Sequence, residues 1–216
     1  MSKNSKHNLK KLLKVKRKIF PDISEDRLNK LLIDEESIKY ITFKSDAEDI
    51  SQIIIKNLEE KADEYVISDM TAGVGGNVLN FAKYFKYVNA IEINRERYNY
   101  LNNNIYQYDL INVNTYNYDS YNLLIEQDEI RQDIVFFDPP WGGSSYKDYD
   151  SLRLTFADKS IEDICLKLLE KNNKLIVLKL PKNYDFNYLK EKLSDHTVII
   201  YQLDRIGIVT IKGKLI

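Results

Sequence analysis

The nine residues Asp69-Met70-Thr71-Ala72-Gly73-Val74-Gly75-Gly76-Asn77 decide how the rest of this chain is read. An apolar run at 65–69 leads into them and a helical pattern over 77–85 leads out, so they form a strand–turn–helix passage. Gly73, Gly75 and Gly76 remove Cβ atoms where the backbone must turn sharply, and they let a ligand come close. The spacing is not the dinucleotide G-x-G-x-x-G, and no Gly-Lys-Ser/Thr follows, so a P-loop is excluded. A glycine cluster alone also fits a plain turn.

Beyond this turn the chain alternates. Strands are expected at 87–93, 113–117, 133–138 and 174–180, with helices at 97–106 and 161–171. The runs 197–203 and 206–212 are separated only by Asp204 and Arg205 and read as a β-hairpin. Such alternation implies an α/β fold, a mostly parallel sheet with helices on both faces, and the hairpin adds one antiparallel strand at its edge. The pattern suits several doubly wound folds. Before it, residues 1–60 read as a basic, helical extension to a domain spanning 61–216. Leu9, Leu12, Leu13, Phe20, Leu28, Leu31 and Leu32 recur at near-helical spacing over 8–33, with Pro21 breaking the run. Ser45 followed by Glu48 is a capping-box pattern, with Ile50, Ile53, Ile54 and Leu58 as the buried face of its helix.

Composition excludes several classes. With 44% hydrophobic and 30% charged residues the chain is expected to be soluble and globular. No apolar run approaches the roughly 18 residues of a membrane span, and no apolar stretch follows the basic N-terminus as a signal peptide requires. The single cysteine, Cys165, precludes an internal disulfide, and His7 and His196 lie too far apart in sequence to suggest a Cys/His metal site. No metal and no membrane are therefore expected, and an intracellular location is. The formal net charge is only −1, but Lys3, Lys6, Lys10, Lys11, Lys14, Lys16, Arg17 and Lys18 all precede the first acid, Asp22. That run either neutralises phosphates or is a solvated tail. Abundant Asn, Tyr, Ile and Lys point to an AT-rich genome, such as that of a virus or a parasite.

Three acids follow strands. Asp69 ends the first and can face an ammonium group. Glu92 ends the second, where a carboxylate can accept both hydroxyl protons of a ribose. Asp119 follows the third, where an acceptor could meet an adenine amino group. Together they suit an adenosine carrying a cationic amino acid arm, S-adenosylmethionine, better than a phosphate-rich nucleotide that they would repel. Thr71, Gly73, Gly75 and Asn77 belong to the same expected cofactor site, as does Asp138.

The most specific signal is Phe136-Phe137-Asp138-Pro139-Pro140-Trp141-Gly142-Gly143 after the fourth strand. Two prolines fix φ and remove donors, so neighbouring carbonyls are left as acceptors. An exocyclic amine has two N–H donors and a lone pair delocalised into its ring. Holding its hydrogens against the Asp138 side chain and the Pro139 carbonyl would aim its nitrogen at a methyl donor. Trp141, the only tryptophan, offers a face on which a base can stack. Asp138, Pro139 and Trp141 are the expected catalytic residues.

The run 72–77 followed by Pro139-Pro140-Trp141-Gly142-Gly143 and Tyr146 resembles the RNA cap guanine-N2 methyltransferases, the trimethylguanosine synthase family. Leu180-Pro181-Lys182-Asn183 is similar to that family's Leu-Pro-Arg-Asn, and Leu32-Ile33-Asp34-Glu35-Glu36 falls where the family has an Asp-rich turn. The resemblance spans roughly residues 30–190. It implies a class I S-adenosylmethionine methyltransferase sheet, Rossmann-like, acting on the N2 of a 7-methylguanosine RNA cap, in a nucleus or in a cytoplasm used by a virus; a monomer is expected. Trp141, Tyr146, Lys182 and Asn183 would bind that substrate. A cationic purine on Trp141 would gain a cation–π contribution. Two residues depart from the family: Lys182 replaces an arginine and loses its bidentate fork, and Asp138 replaces a serine. Asp-Pro-Pro-aromatic also marks enzymes of adenine N6 and ribosomal guanine N2, so an internal base of rRNA or DNA is the alternative substrate.

Overall fold

The strand expected before the glycine turn is β1 (Val66–Asp69), buried along its whole length. It lies between β2 (Tyr87–Ile91) and β4 (Ile134–Phe137), parallel to both. β3 (Val113–Tyr116) continues the sheet beyond β2, and β5 (Leu175–Pro181) continues it beyond β4, again in parallel. β6 (Thr197–Gln202) and β7 (Ile206–Lys212) complete seven strands in the order β3-β2-β1-β4-β5-β7-β6. The computed structural model describes residues 3–171 and 173–213.

Side chains leave each strand on alternate faces, and two cores result. Ile67, Val88 and Phe136 join one; Ile91, Val135 and Phe137 join the other. The first core is closed by residues of α1 (Lys3–Ile19), α2 (Glu25–Lys30), α4 (Lys44–Lys56), α5 (Val78–Phe81) and α6 (Arg95–Gln107). α7 (Ile161–Glu170) and α8 (Phe186–Lys192) cover the second. Side-chain caps start three of these helices: Asn94 accepts from the N–H groups of Glu96 and Arg97, Ser160 from Asp163, and Asp185 from Tyr188. Ile19, Leu28, Ile50 and Ile54 of the N-terminal extension share the first core with the strands. Among the described residues no helix is long and apolar enough to cross a membrane.

Several expectations change. The antiparallel strand of the terminal hairpin is β7, and it is inserted between β5 and β6 rather than placed at the edge. The reason is burial: Ile206 to Ile211 are buried without interruption, whereas β6 is only partly buried and leaves Ile199 exposed. The helix after the glycine turn is short, only Val78–Phe81, and the chain then continues in turns to β2. Ser45 caps nothing; α4 begins one residue earlier, with Phe43 at its N-cap. Glu48 serves instead as an anchor, accepting hydrogen bonds from Tyr84, from Asn80 at 3.2 Å and from Gln52 at 2.9 Å. Lys16 is no phosphate ligand. Its buried ammonium donates to the carbonyls of Leu31 at 2.6 Å and Asn29 at 3.3 Å, capping the C-terminal end of α2. A small hairpin, Thr155–Phe156 with Lys159–Ser160, and α8 lacked a readable sequence pattern.

The linker between α3 (Ser37–Tyr40) and α4 lies directly on the glycine turn. A Cβ at Gly76 would sit 2.8 Å from Ile41 Cγ1 and 3.4 Å from the Thr42 carbonyl oxygen. Gly76→Ala should therefore lower stability by about 1–3 kcal/mol through overpacking. In denaturant titrations the Ile41→Ala/Gly76→Ala pair should lose less than the sum of the single changes; strict additivity would place the strain elsewhere.

Candidate active site

The chain runs from β1 outward through β2 to β3, then returns to place β4 on the other side of β1. A crevice opens at such a reversal, outside the carboxyl ends of the strands. Asp69 ends β1, Glu92 follows β2 and Asp138 follows β4, so topology brings three carboxylates to that edge. The loops are tied across the crevice: the Asp138 N–H donates to Thr71 Oγ1 at 3.2 Å, and the Ala72 N–H to the Ile91 carbonyl at 3.0 Å.

Gly73 and Gly75 hold φ values of +54° and +104°, a left-handed backbone that side chains disfavour. With that path fixed, the Gly73 N–H donates to Glu92 Oε2 at 2.9 Å while the Asn94 N–H donates to Oε1 at 2.7 Å. Glu92 is thus locked in place, and each oxygen retains a second lone pair for a ribose hydroxyl. Burial raises its pKa. Asp69 is 1% exposed; its Oδ1 accepts from the Thr71 N–H at 3.0 Å, and its buried Oδ2 has no partner. Burial first, then the neighbouring Asp138 and Glu92 charges, push its pKa up to about 7. An unsatisfied carboxylate oxygen among like charges calls for a cation. The residues therefore fit the cationic amino acid arm of S-adenosylmethionine.

Other expected cofactor residues divide. Asp119 is half-buried, and its Oδ1 accepts from the Asn122 N–H at 2.9 Å, so it first serves a turn. Asn77 donates to Thr42 Oγ1 at 3.2 Å, and its buried Oδ1 is unpartnered. That bond ties the glycine turn to the N-terminal extension. Asn104, fully buried, donates to the carbonyls of Leu32 and Val74 at 2.9 Å each. Arg97 pairs with Glu36 and, at 3.5 Å, with Asp34, while its guanidinium lies 5.5 Å from the Tyr40 ring centroid.

Beside the Asp-Pro-Pro-Trp segment lies a group that the sequence reading missed. Lys179, on β5 and 5% exposed, places its Nζ 2.6 Å from Asp138 Oδ2. Burial raises the Asp138 pKa; Lys179 opposes that, as does the nearby indole N–H of Trp141. Trp141 is half-buried and meets Tyr146 edge to face, with ring centroids 5.1 Å apart. Lys179 Nζ is 5.2 Å from the indole centroid. Pro139 is buried and Pro140 exposed. Gly142 and Gly143 both take positive φ, +84° and +72°. Beside Trp141 lies an open cleft of about 830 Å³ that also involves Pro140, Tyr149, Ser151, Arg153 and Asp185. Lys182 is exposed. Asn183 is not poised toward the cleft by its amide: Nδ2 donates to the carbonyls of Tyr146 and Tyr149, both at 2.7 Å, and so fixes the segment that carries Tyr146. The missed lysine had one signal, a lone charge inside an otherwise apolar strand.

Comparison with known proteins now bears on this site. Residues 64–214 match the model of the RNA cap guanine-N2 methyltransferase family. Uncharacterized protein L320 of Acanthamoeba polyphaga mimivirus is 53% identical over 92% of this chain and 85% of its own length. The trimethylguanosine synthase of Saccharomyces cerevisiae is 29% identical over 57% of this chain and 40% of its own. Among solved structures, the T. thermophilus 16S rRNA guanine-N2 methyltransferase, in complex with AdoMet and guanosine, superposes with a TM-score of 0.57 at 14% identity. It covers 85% of this chain and 44% of that one. A Geobacter metallireducens precorrin methyltransferase gives 0.55 at 16% identity, over 77% of this chain and 88% of its own. The fold is that of the class I methyltransferases, and the cofactor is S-adenosylmethionine. With the family's model spanning the sheet and both loops of the site, the chain belongs to the RNA cap guanine-N2 methyltransferase family.

Proposed function

We propose that the protein transfers a methyl group from S-adenosylmethionine to the exocyclic N2 of a 7-methylguanosine cap on RNA. The observation that carries this reading is the placement of Asp138 beside the cation-seeking crevice of Asp69 and Glu92, in one segment with Pro140 and Trp141, which line an open cleft. Stacking against Trp141 fixes the plane of the purine. Asp138 and the Pro139 carbonyl accept from the two amino hydrogens, which turns the nitrogen lone pair toward the methyl and draws off the proton released on transfer. Bound in the crevice, the cofactor supplies an electrophilic methyl on a sulfonium. Glu92 holds the ribose and Asp69 the ammonium, and the tethered segment 143–149 keeps Tyr146 against the indole. Lys182, exposed after β5, is the cation we assign to the cap phosphates. The protein needs no partner subunit in this reading.

A second reading, methylation of an internal guanine of RNA, is favoured by one observation. Lys179 already brings a positive charge within 5.2 Å of the indole centroid, which lessens the gain from stacking a cationic purine there. Labelled cofactor offered with 7-methylguanosine-capped, unmethylated-capped and uncapped RNA separates the two. Labelling confined to the first supports cap methylation, and equal labelling of all three supports the internal base.

Trp141→Ala should reduce kcat/KM by about 5- to 150-fold, the rate equivalent of about 1–3 kcal/mol of lost stacking; wild-type turnover would remove the indole from the substrate site. Binding of S-adenosylhomocysteine should depend on pH through Asp69. Its carboxyl, raised to about 7, must ionise to meet the ligand's ammonium, so affinity should weaken as pH falls below 7. The loss should approach about tenfold per pH unit at most. Calorimetry between pH 5.5 and 8 should show this slope in the wild type and not in Asp69→Asn; parallel profiles would assign the ammonium to another group.

A further inference from the structure

We propose that Lys179 is a positioning residue for methyl transfer, acting through Asp138: it keeps that carboxylate ionised and fixes Oδ2, so that Oδ1 is the acceptor offered to the amino group. This rests on the assignment of Asp138 as the acceptor of the substrate amine. Three observations support it. The Nζ–Oδ2 distance is 2.6 Å and the lysine is 5% exposed, so the pair is screened much less than one on the surface. Lys179 is also the cation that counters the crevice's like charges: it pulls the pKa of both Asp138 and Asp69 downward against burial. Finally, its backbone lies one strand away, on β5 beside β4, and Lys179 is not among the residues that line the cleft beside Trp141. The groups facing Asp138 are then Lys179 from β5, the indole of Trp141 from its own loop, and Asp69 from β1.

The consequence is a division of labour that a serine at this position would not need. A carboxylate is the stronger acceptor for an amine that grows more acidic as it alkylates, but it is an acceptor only while ionised. Burial raises the Asp138 pKa, and without the opposing ammonium the carboxyl would shift further toward its protonated form, which offers the substrate a donor in place of an acceptor. The lysine removes that difficulty.

Lys179→Met keeps the length and apolar stem while deleting the charge. In the full-length protein, the ¹³C-carboxyl titration of Asp138, assigned through Asp138→Asn, should move to higher pH by about one unit or more. The acid limb of the pH–kcat profile should move with it, because the ionised form is lost sooner as pH falls. At pH 7 kcat should fall about tenfold and recover substantially at pH 9, while KM for RNA and affinity for S-adenosylhomocysteine change by less than about threefold. Lys179→Arg should restore the acid limb. Asp138→Asn/Lys179→Met should be no slower than Asp138→Asn, and this comparison stands even if a single variant melts early. An unmoved carboxyl titration overturns the inference. A moved titration with an unmoved rate profile overturns it as well, and leaves methylation of guanine N2 untouched. Failure of the wild type to methylate any guanosine-containing RNA would strike the functional reading, while the titration would still decide whether Lys179 governs Asp138.

Discussion

Charge balance at the carboxyl edge of the parallel sheet is the constraint on which this site depends. Asp69, Glu92 and Asp138 converge there because β1 is flanked by β2 and β4, and a protein interior does not hold three carboxylates without compensation. The compensation is uneven. Glu92 is satisfied by two backbone N–H groups, and Asp138 has the ammonium of Lys179. Asp69 keeps an unpaired oxygen and a pKa near 7. The remaining deficit is one positive charge beside Asp69, which a cationic ligand would supply. Electrostatic frustration of this kind is a binding device: the site is relieved when its ligand arrives.

The same edge explains how the N-terminal extension relates to the methyltransferase sheet. Its apolar residues lie in the core shared with β1, β2 and β4, and its linker crosses the glycine turn. Asn104 joins Leu32 to Val74, Asn77 reaches Thr42, Glu48 collects Tyr84 and Asn80, and Arg97 gathers Asp34 and Glu36. Each is a polar bond between the extension and the domain built on the sheet. Such bonds contribute modestly one by one, about 0.5–1.5 kcal/mol each. Their value is in fixing the position of the glycine turn, whose Gly73 N–H meets Glu92.

Much of the fold was legible in the chain itself. The alternation of apolar runs and helical patterns located the seven main strands, because the period of buried residues is a local property. Boundaries erred where a local pattern met a tertiary demand. Ser45 and Glu48 have the spacing of a capping box, yet Glu48 is drawn to Tyr84 and Asn80 across the interface. Lys16 reads as one more solvated cation of a basic run, yet it is buried against the carbonyls that end α2. No linear pattern distinguishes these outcomes, since the partners lie far away in sequence.

The sequence by itself determined the components: a glycine turn between a strand and a helix, acids at successive strand ends, and an Asp-Pro-Pro-Trp segment after the fourth strand. Those follow from residue type and spacing, which a single chain displays. Only the tertiary structure decided which strand of the terminal hairpin lies inside the sheet, and that a lysine 41 residues beyond Asp138 is its counter-ion. Strand order and the pairing of buried charges depend on which surfaces are covered and which groups lose their water, and burial is a property of the folded whole.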